Sequence, residues 1–222
     1  MKDIFRDRSE AGQLLAGPLM RYAADPNVVV LALPRGGVPV AFEVARALHA
    51  PLDVFVVRKL GTPNHRELAM GAIAGGGVRV LNEEVVRKLR IPMAVIDEAT
   101  AEEQQELERR ELAYRGRASA PAVRSRTVIL IDDGVATGST MHAAIRALKV
   151  QHPARLVVAV PTAAASTFRA LSAEVDDCVA LLTPEHFVGV GEWYEDFRQT
   201  SDAEVTELLA RARAESGMPG GN

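Results

Sequence analysis

Several things are scarce in this 222-residue chain, and each absence excludes something. There is one cysteine, Cys178. It cannot form an intramolecular disulfide, so no disulfide framework holds the fold, and such usage suits a reducing compartment. Cys178 falls in the apolar run 178–182 and reads as core packing. Net charge is also small, −3 at pH 7, which gives no support to a general nucleic-acid binder with its basic surface. No apolar stretch approaches the roughly 20 residues of a membrane span. The first eight residues lack the apolar core of a signal peptide. The expectation is a cytoplasmic protein with no nucleic-acid and no membrane partner. Familiar motifs are missing too. No G-x-G-x-x-G follows a strand, and Gly138 is followed by Ser139 and not by lysine, so dinucleotide and nucleoside-triphosphate loops do not fit. Neither G-x-S-x-G nor H-E-x-x-H occurs. Repeats and low-complexity tracts are absent.

What remains is ordinary globular material, 48% hydrophobic and 25% charged. Residues 7–24 read as an amphipathic helix that Asp7 can cap, with Glu10 three residues on, and Pro18 predicts a kink or break. Residues 28–33 form a continuous apolar run, a strand buried on both faces. It ends in Pro34-Arg35-Gly36-Gly37 and leads into a helix over 38–48. Residues 52–57 are the next strand, ending at Arg58 and Lys59. Residues 68–74 and 78–81 can pair as a hairpin across Gly75–Gly77, within a Gly- and Pro-containing stretch, 61–77, that reads as mobile. Residues 83–119 are strongly charged. Asn82 can cap a short helix there, and Thr100 with Glu103 forms a capping box for a second, closed by Gly116. Their charges read as a solvated face, part of a dimer arm or part of a lid surround.

The most informative stretch is Thr127–Thr140, TVILIDDGVATGST. A β-branched apolar strand runs into two adjacent carboxylates, Asp132 and Asp133. A loop of small and hydroxyl residues follows, Ala136-Thr137-Gly138-Ser139-Thr140, and then a helix with Met141, Ala144, Ile145 and Leu148 on one face. In an open parallel sheet, ligands sit at the carboxyl ends of strands. The first N–H groups of a helix have no intrahelical partner, and its dipole favours an anion there. Such a loop holds a phosphate, and the carboxylates beside it accept hydrogen bonds from sugar hydroxyls.

After this stretch come a strand (155–160), a helix (164–171) and a strand (175–182). The chain holds six Phe, three Tyr and one Trp. Four of these fall together at Phe187, Trp193, Tyr194 and Phe197, as a local core or a surface on which a planar ring can stack. A helix capped by Asp202 follows, then a tail, 216–222, expected to fray. Alternating strands and helices predict an α/β, doubly wound parallel sheet.

Residues 128–140 resemble the phosphoribosyl diphosphate (PRPP) signature of type I phosphoribosyltransferases. Gly134 departs from it, because an aliphatic residue is usual after the acidic pair. The resemblance implies one domain over 1–222, with core 25–182, insertion 83–119, a flexible lid loop, and a C-terminal hood from 183–200 plus terminal segments. It implies strand order 3-2-1-4-5, with the Arg35 loop beside the Asp132 loop. It also implies Mg²⁺-dependent transfer of the phosphoribosyl group from PRPP to a nitrogenous base, as in nucleotide salvage, by a homodimer. Ala136–Thr140 would bind the 5′-phosphate. Arg35, Gly36, Gly37, Arg58 and Lys59 would bind diphosphate, with a cis peptide between Pro34 and Arg35. Asp132 and Asp133 would hold the ribose and, through water, the metal. Catalysis would rest on Arg35, Lys59, Asp132 and Asp133, and the base would meet Phe187, Trp193 or Tyr194. The competing readings are a sensor of the same fold that binds without turnover, and a hydrolase. The acceptor base is not legible.

Overall fold

The computed structural model describes residues 4–63, 65–116, 118, 120 and 122–215. The tail 216–222 lies outside them, as do the side chains of His65 and Arg66. A five-stranded parallel sheet forms the centre. Its strands are β1 (Val28–Ala32), β2 (Leu52–Val54), β6 (Thr127–Ile131), β7 (Arg155–Thr162) and β8 (Asp177–Leu182), in the order β2-β1-β6-β7-β8. A separate antiparallel sheet holds β3 (Val57–Thr62), β4 (His65–Ala74) and β5 (Val78–Leu81).

The central sheet is covered on both faces, and the strands show it residue by residue. Val28, Val30 and Ala32 of β1 face one core, packed with α1 (Arg8–Leu19), α2 (Gly37–Leu48) and α7 (Asp202–Glu215). Val29 and Leu31 face the other, with α5 (Ser139–Lys149) and α6 (Ala165–Ser172). Successive side chains of a strand point to opposite faces, so two-sided burial demands a continuous apolar run. The doubly wound parallel architecture is therefore present. Its order departs from 3-2-1-4-5 at the edges. Next to β2, where a further strand was expected, the central sheet ends, and the last strand, β8, adds beyond β7.

The reason lies at residues 55–56. The strand expected over 52–57 leaves the central sheet after Val54, and Phe55 and Val56 bury their side chains in the two cores. Residue 57 then begins the second sheet. Arg58 and Lys59 accordingly lie within β3, opposite Ile73 and Ala72, and not at the end of a central strand. The stretch read as mobile, 61–77, is largely β-structure. Its hairpin closes across Gly75–Gly77, with Ala74 opposite Val78, as the sequence suggests.

The charged region holds α3 (Glu83–Lys88), capped by Asn82, and a long α4 (Met93–Arg115). The expected second capping box is not one. Pro92 opens the helix, and Thr100 lies inside it, donating to the Ile96 carbonyl at 2.7 Å. Proline is compatible with a helix start, where its missing N–H goes unused. Helix α4 is more than a solvated face. Ile96, Leu107 and Tyr114 join Leu60, Met70 and Ile73 of the second sheet in one core. Its last residue, Arg115, donates to both oxygens of buried Asp53 on β2 at 3.0 Å. The N-terminal cap is as expected, with Asp7 accepting from the Glu10 amide at 2.8 Å.

Candidate active site

Strands β1 and β6 are neighbours, so the loops leaving their carboxyl ends lie side by side. The Leu33 amide donates to the Ile131 carbonyl at 2.8 Å. The Pro34–Arg35 peptide is cis. Two glycines then let the loops touch. A Cβ on Gly36 would lie 2.0 Å from Asp133 Oδ2, and one on Gly37 would lie 2.9 Å from the Asp132 Cα. The basic bend and the acidic strand end are thus in contact, which only residues without side chains permit.

The loop after the acidic pair is pinned by its neighbours. The Val135 amide donates to the Thr162 carbonyl at 2.9 Å, and Thr167 Oγ1 on α6 donates to the Ala136 carbonyl at 2.6 Å. Gly138 takes a left-handed conformation, φ 75°, and starts α5. Thr137 and Thr140 are exposed, and the Thr137 and Ser139 hydroxyls lie 3.4 Å apart. The first amides of α5 thus emerge beside three hydroxyls, which suits an anion.

Burial, followed by the adjacent Asp133 charge, holds the Asp132 carboxyl well above the ordinary carboxylate range. Burial also raises Asp133, against the opposing pull of Arg8. Arg8, on α1, donates from Nε to Asp133 Oδ2 at 2.7 Å. Nothing in the linear pattern marks it, since it stands 125 residues away. Sequence reasoning also misses Thr167, and it misreads Asp202. Asp202 is the first residue of α7, while Ser201 Oγ accepts from the Glu204 amide as the cap. The Asp202 carboxylate instead accepts from Tyr114 Oη at 2.9 Å and lies 3.6 Å from an Arg35 nitrogen. Burial and that bond push the Tyr114 hydroxyl up to about 12.

A cleft of about 790 Å³ reaches both loops, touching Pro34 on one and Thr140 on the other. Strand β3 forms one wall with Arg58 and Lys59, and α4 forms another with Glu98, Glu102 and Glu103. Arg58 is engaged there, donating to Glu103 at 2.6 Å.

The aromatic segment behaves differently from a stacking platform. Trp193 and Tyr194 are buried with Phe5 and Ala11 in a small core of their own. Tyr194 packs between Phe5 and Phe197, and Trp193 stacks on Phe187 with ring centroids 6.2 Å apart. Tyr194 Oη donates to the Asp133 carbonyl at 2.5 Å. Tyr194 thereby braces the acidic strand end, and both rings are buried in this small core. Phe187 is half-buried.

Gly134 acquires an explanation from the same segment. A Cβ there would lie 2.4 Å from Val190 Cγ1. Val190 fills the space that a side chain at 134 would take. Gly134→Ala is expected to cost about 1–3 kcal/mol through overpacking, and Val190→Ala in that background should recover most of it. Thermal unfolding of the single and double variants checks this, and an unrelieved loss in the double variant would contradict it.

The fold and this pair of loops define a phosphoribosyltransferase-type α/β architecture, and sequence comparison agrees. The family model described as a phosphoribosyl transferase domain matches residues 64–196. This chain belongs to that family. It is 41% identical to TT1426 from Thermus thermophilus, whose crystal structure superposes with a TM-score of 0.85 over 94% of this chain and 98% of that one. It is 45% identical over 218 residues to the Mycobacterium tuberculosis H37Rv protein named "Putative phosphoribosyl transferase Rv0571c", and equally to its counterpart in strain CDC 1551. Those matches take in 98% of this chain but 49% of the relatives, so the chain spans about half their length.

Proposed function

We propose that this protein transfers the phosphoribosyl group of PRPP to a nitrogenous base and releases diphosphate. The observation that carries the reading is the contact between the Arg35-Gly36-Gly37 bend and the Asp132-Asp133 strand end, with the phosphate loop directly following. Residues 136–140 anchor the 5′-phosphate through backbone amides and the hydroxyls of Thr137, Ser139 and Thr140. That remote contact orients the sugar. Asp132 and Asp133 accept hydrogen bonds from the ribose hydroxyls. Arg35, the amides near Gly36 and Gly37, and Arg58 and Lys59 across the cleft receive the diphosphate. Charge moves from the ribose C1 towards the leaving oxygen as the C1–O bond breaks, and preorganised cations beside that oxygen lower the barrier. A ring nitrogen of the base forms the new bond at C1. Phe187, half-buried beside Trp193, contacts the base.

The donor set fits Mg²⁺. Among the described residues no cluster of three or more His, Cys, Asp or Glu could hold a metal alone. Mg²⁺ is commonly held by one or two carboxylates together with substrate phosphates and water. Asp132 and Asp133 supply such oxygens, and a cation beside them would offset the burial and the adjacent charge that together raise Asp132. When bound, the ion neutralises charge on the diphosphate. The protein acts as a homodimer in the cytoplasm. No helix among the described residues is long and apolar enough to cross a membrane.

Diphosphate release from PRPP and Mg²⁺, measured over a panel of purine, pyrimidine and other ring-nitrogen bases, tests the reading. Release that depends on one base is the expected result. Release without a base would mean a hydrolase, and PRPP binding without release would mean a sensor.

A further inference from the structure

Arg8 is committed to the candidate site in a way that surface charge or helix capping does not explain. Its guanidinium is held from three sides. Nε donates to Asp133 Oδ2 at 2.7 Å, Nη1 donates to the Arg198 carbonyl at 2.8 Å, and the group lies 4.0 Å from the centroid of the Phe197 ring. Both partners of the ion pair are enclosed, with side chains 11% and 13% exposed. A buried ion pair is weak evidence of a stabilising role, because desolvation offsets much of the attraction. Fixing one geometry is the better account of it. Asp133 Oδ2 is confined on a second side by the bare Cα of Gly36, where even a methyl group would lie 2.0 Å away.

Resting on the proposed function, we propose that Arg8 is a positioning residue of the PRPP site. It locks Oδ2 of Asp133 and so fixes the orientation in which this carboxylate meets the ribose hydroxyls. Through Arg198 and Phe197 it also ties the C-terminal segment to that carboxylate. Arg8 touches Asp133 directly, so its influence falls first on ligands that contain ribose. Diphosphate, held by the Arg35 bend and the β3 cations, feels it only second-hand, through the contact of Asp133 with Gly36.

The test is calorimetric binding of three probes in the presence of Mg²⁺: PRPP, ribose 5-phosphate and inorganic diphosphate. Wild type, Arg8→Met and Arg8→Lys are compared, with thermal unfolding in parallel. Arg8→Met is expected to weaken PRPP and ribose 5-phosphate roughly 10- to 10²-fold, the cost of misplaced hydrogen bonds to a charged carboxylate, and to leave diphosphate within about threefold. Arg8→Lys keeps the charge but loses the planar fork, so it should recover part of the loss. Equal weakening of all three probes would mean a general scaffold role and would overturn the inference. So would sugar binding unchanged from wild type. If Arg8→Met does not fold, Arg8→Lys decides alone: weakened sugar binding with intact diphosphate binding supports the inference, and wild-type binding overturns it. Failure of the wild-type protein itself to bind PRPP would remove the functional reading and this inference together.

Discussion

Arg35→Ala is expected to lower PRPP-dependent turnover on the order of 10²–10³-fold, the usual cost of removing one preorganised donor. The protein should stay folded. The Arg35 side chain is 34% exposed, and its ion-pair partner at 3.6 Å, Asp202, is 49% exposed. A pair this open to water contributes about 0–1 kcal/mol. Asp202 also has another partner, Tyr114, so removing Arg35 does not strand a buried carboxylate. Steady-state kinetics with the accepted base, beside a melting curve, separates the effects. Lost turnover with a wild-type melting curve is the expected result, and unchanged turnover would remove Arg35 from the chemistry.

Gly36→Ala is expected to be nearly as damaging, although it adds one methyl group and removes no charge. The new Cβ would lie 2.0 Å from Asp133 Oδ2 and 2.7 Å from its Cγ. A long flexible side chain could swing away from such a clash. Asp133 is short, buried, and held by Arg8 at 2.7 Å. Relief therefore requires either leaving Arg8 or pushing back the bend that carries Arg35. Each displaces a reacting group by about an ångström, which can cost on the order of 10²-fold in rate. Turnover and PRPP affinity should fall together, and Arg8→Lys combined with Gly36→Ala should do no worse than the glycine change alone if both act on the same carboxylate. A Gly36→Ala protein with wild-type kinetics would show that the two loops are not coupled.

Much of this centre is legible in the sequence because it is built from local signals. The run 128–131 must be buried on both faces, and the acidic pair, the small-residue loop and the helix start follow it without interruption. The bend at Pro34–Gly37 is equally local, and its cis peptide is present as the resemblance implies. The hairpin across Gly75–Gly77 is read correctly for the same reason. What escapes is decided by packing at a distance. Residues 52–62 look like one strand and a loop, yet Phe55 and Val56 find separate cores and carry Arg58 and Lys59 into another sheet. Pro92 is compatible with both an end and a beginning, and contact of Ile96 and Leu107 with Leu60 and Met70 favours a helix that begins there. Trp193 and Tyr194 suggest stacking from composition alone. Their neighbours in space, Phe5 and Ala11, come from the opposite end of the chain. Arg8 is the extreme case, since its meaning depends wholly on the fold bringing α1 beneath the acidic pair.

The central claim is that two adjoining bends grip one ligand, the sugar phosphate on one side and the leaving group on the other. A crystal structure of the protein with PRPP and Mg²⁺ tests it most directly. The expected result is the 5′-phosphate against the amides of residues 136–140, ribose hydroxyls within hydrogen-bond distance of Asp132 and Asp133, and diphosphate against Arg35. PRPP found elsewhere, or bound with its diphosphate in the 136–140 loop and its ribose away from both carboxylates, would contradict it.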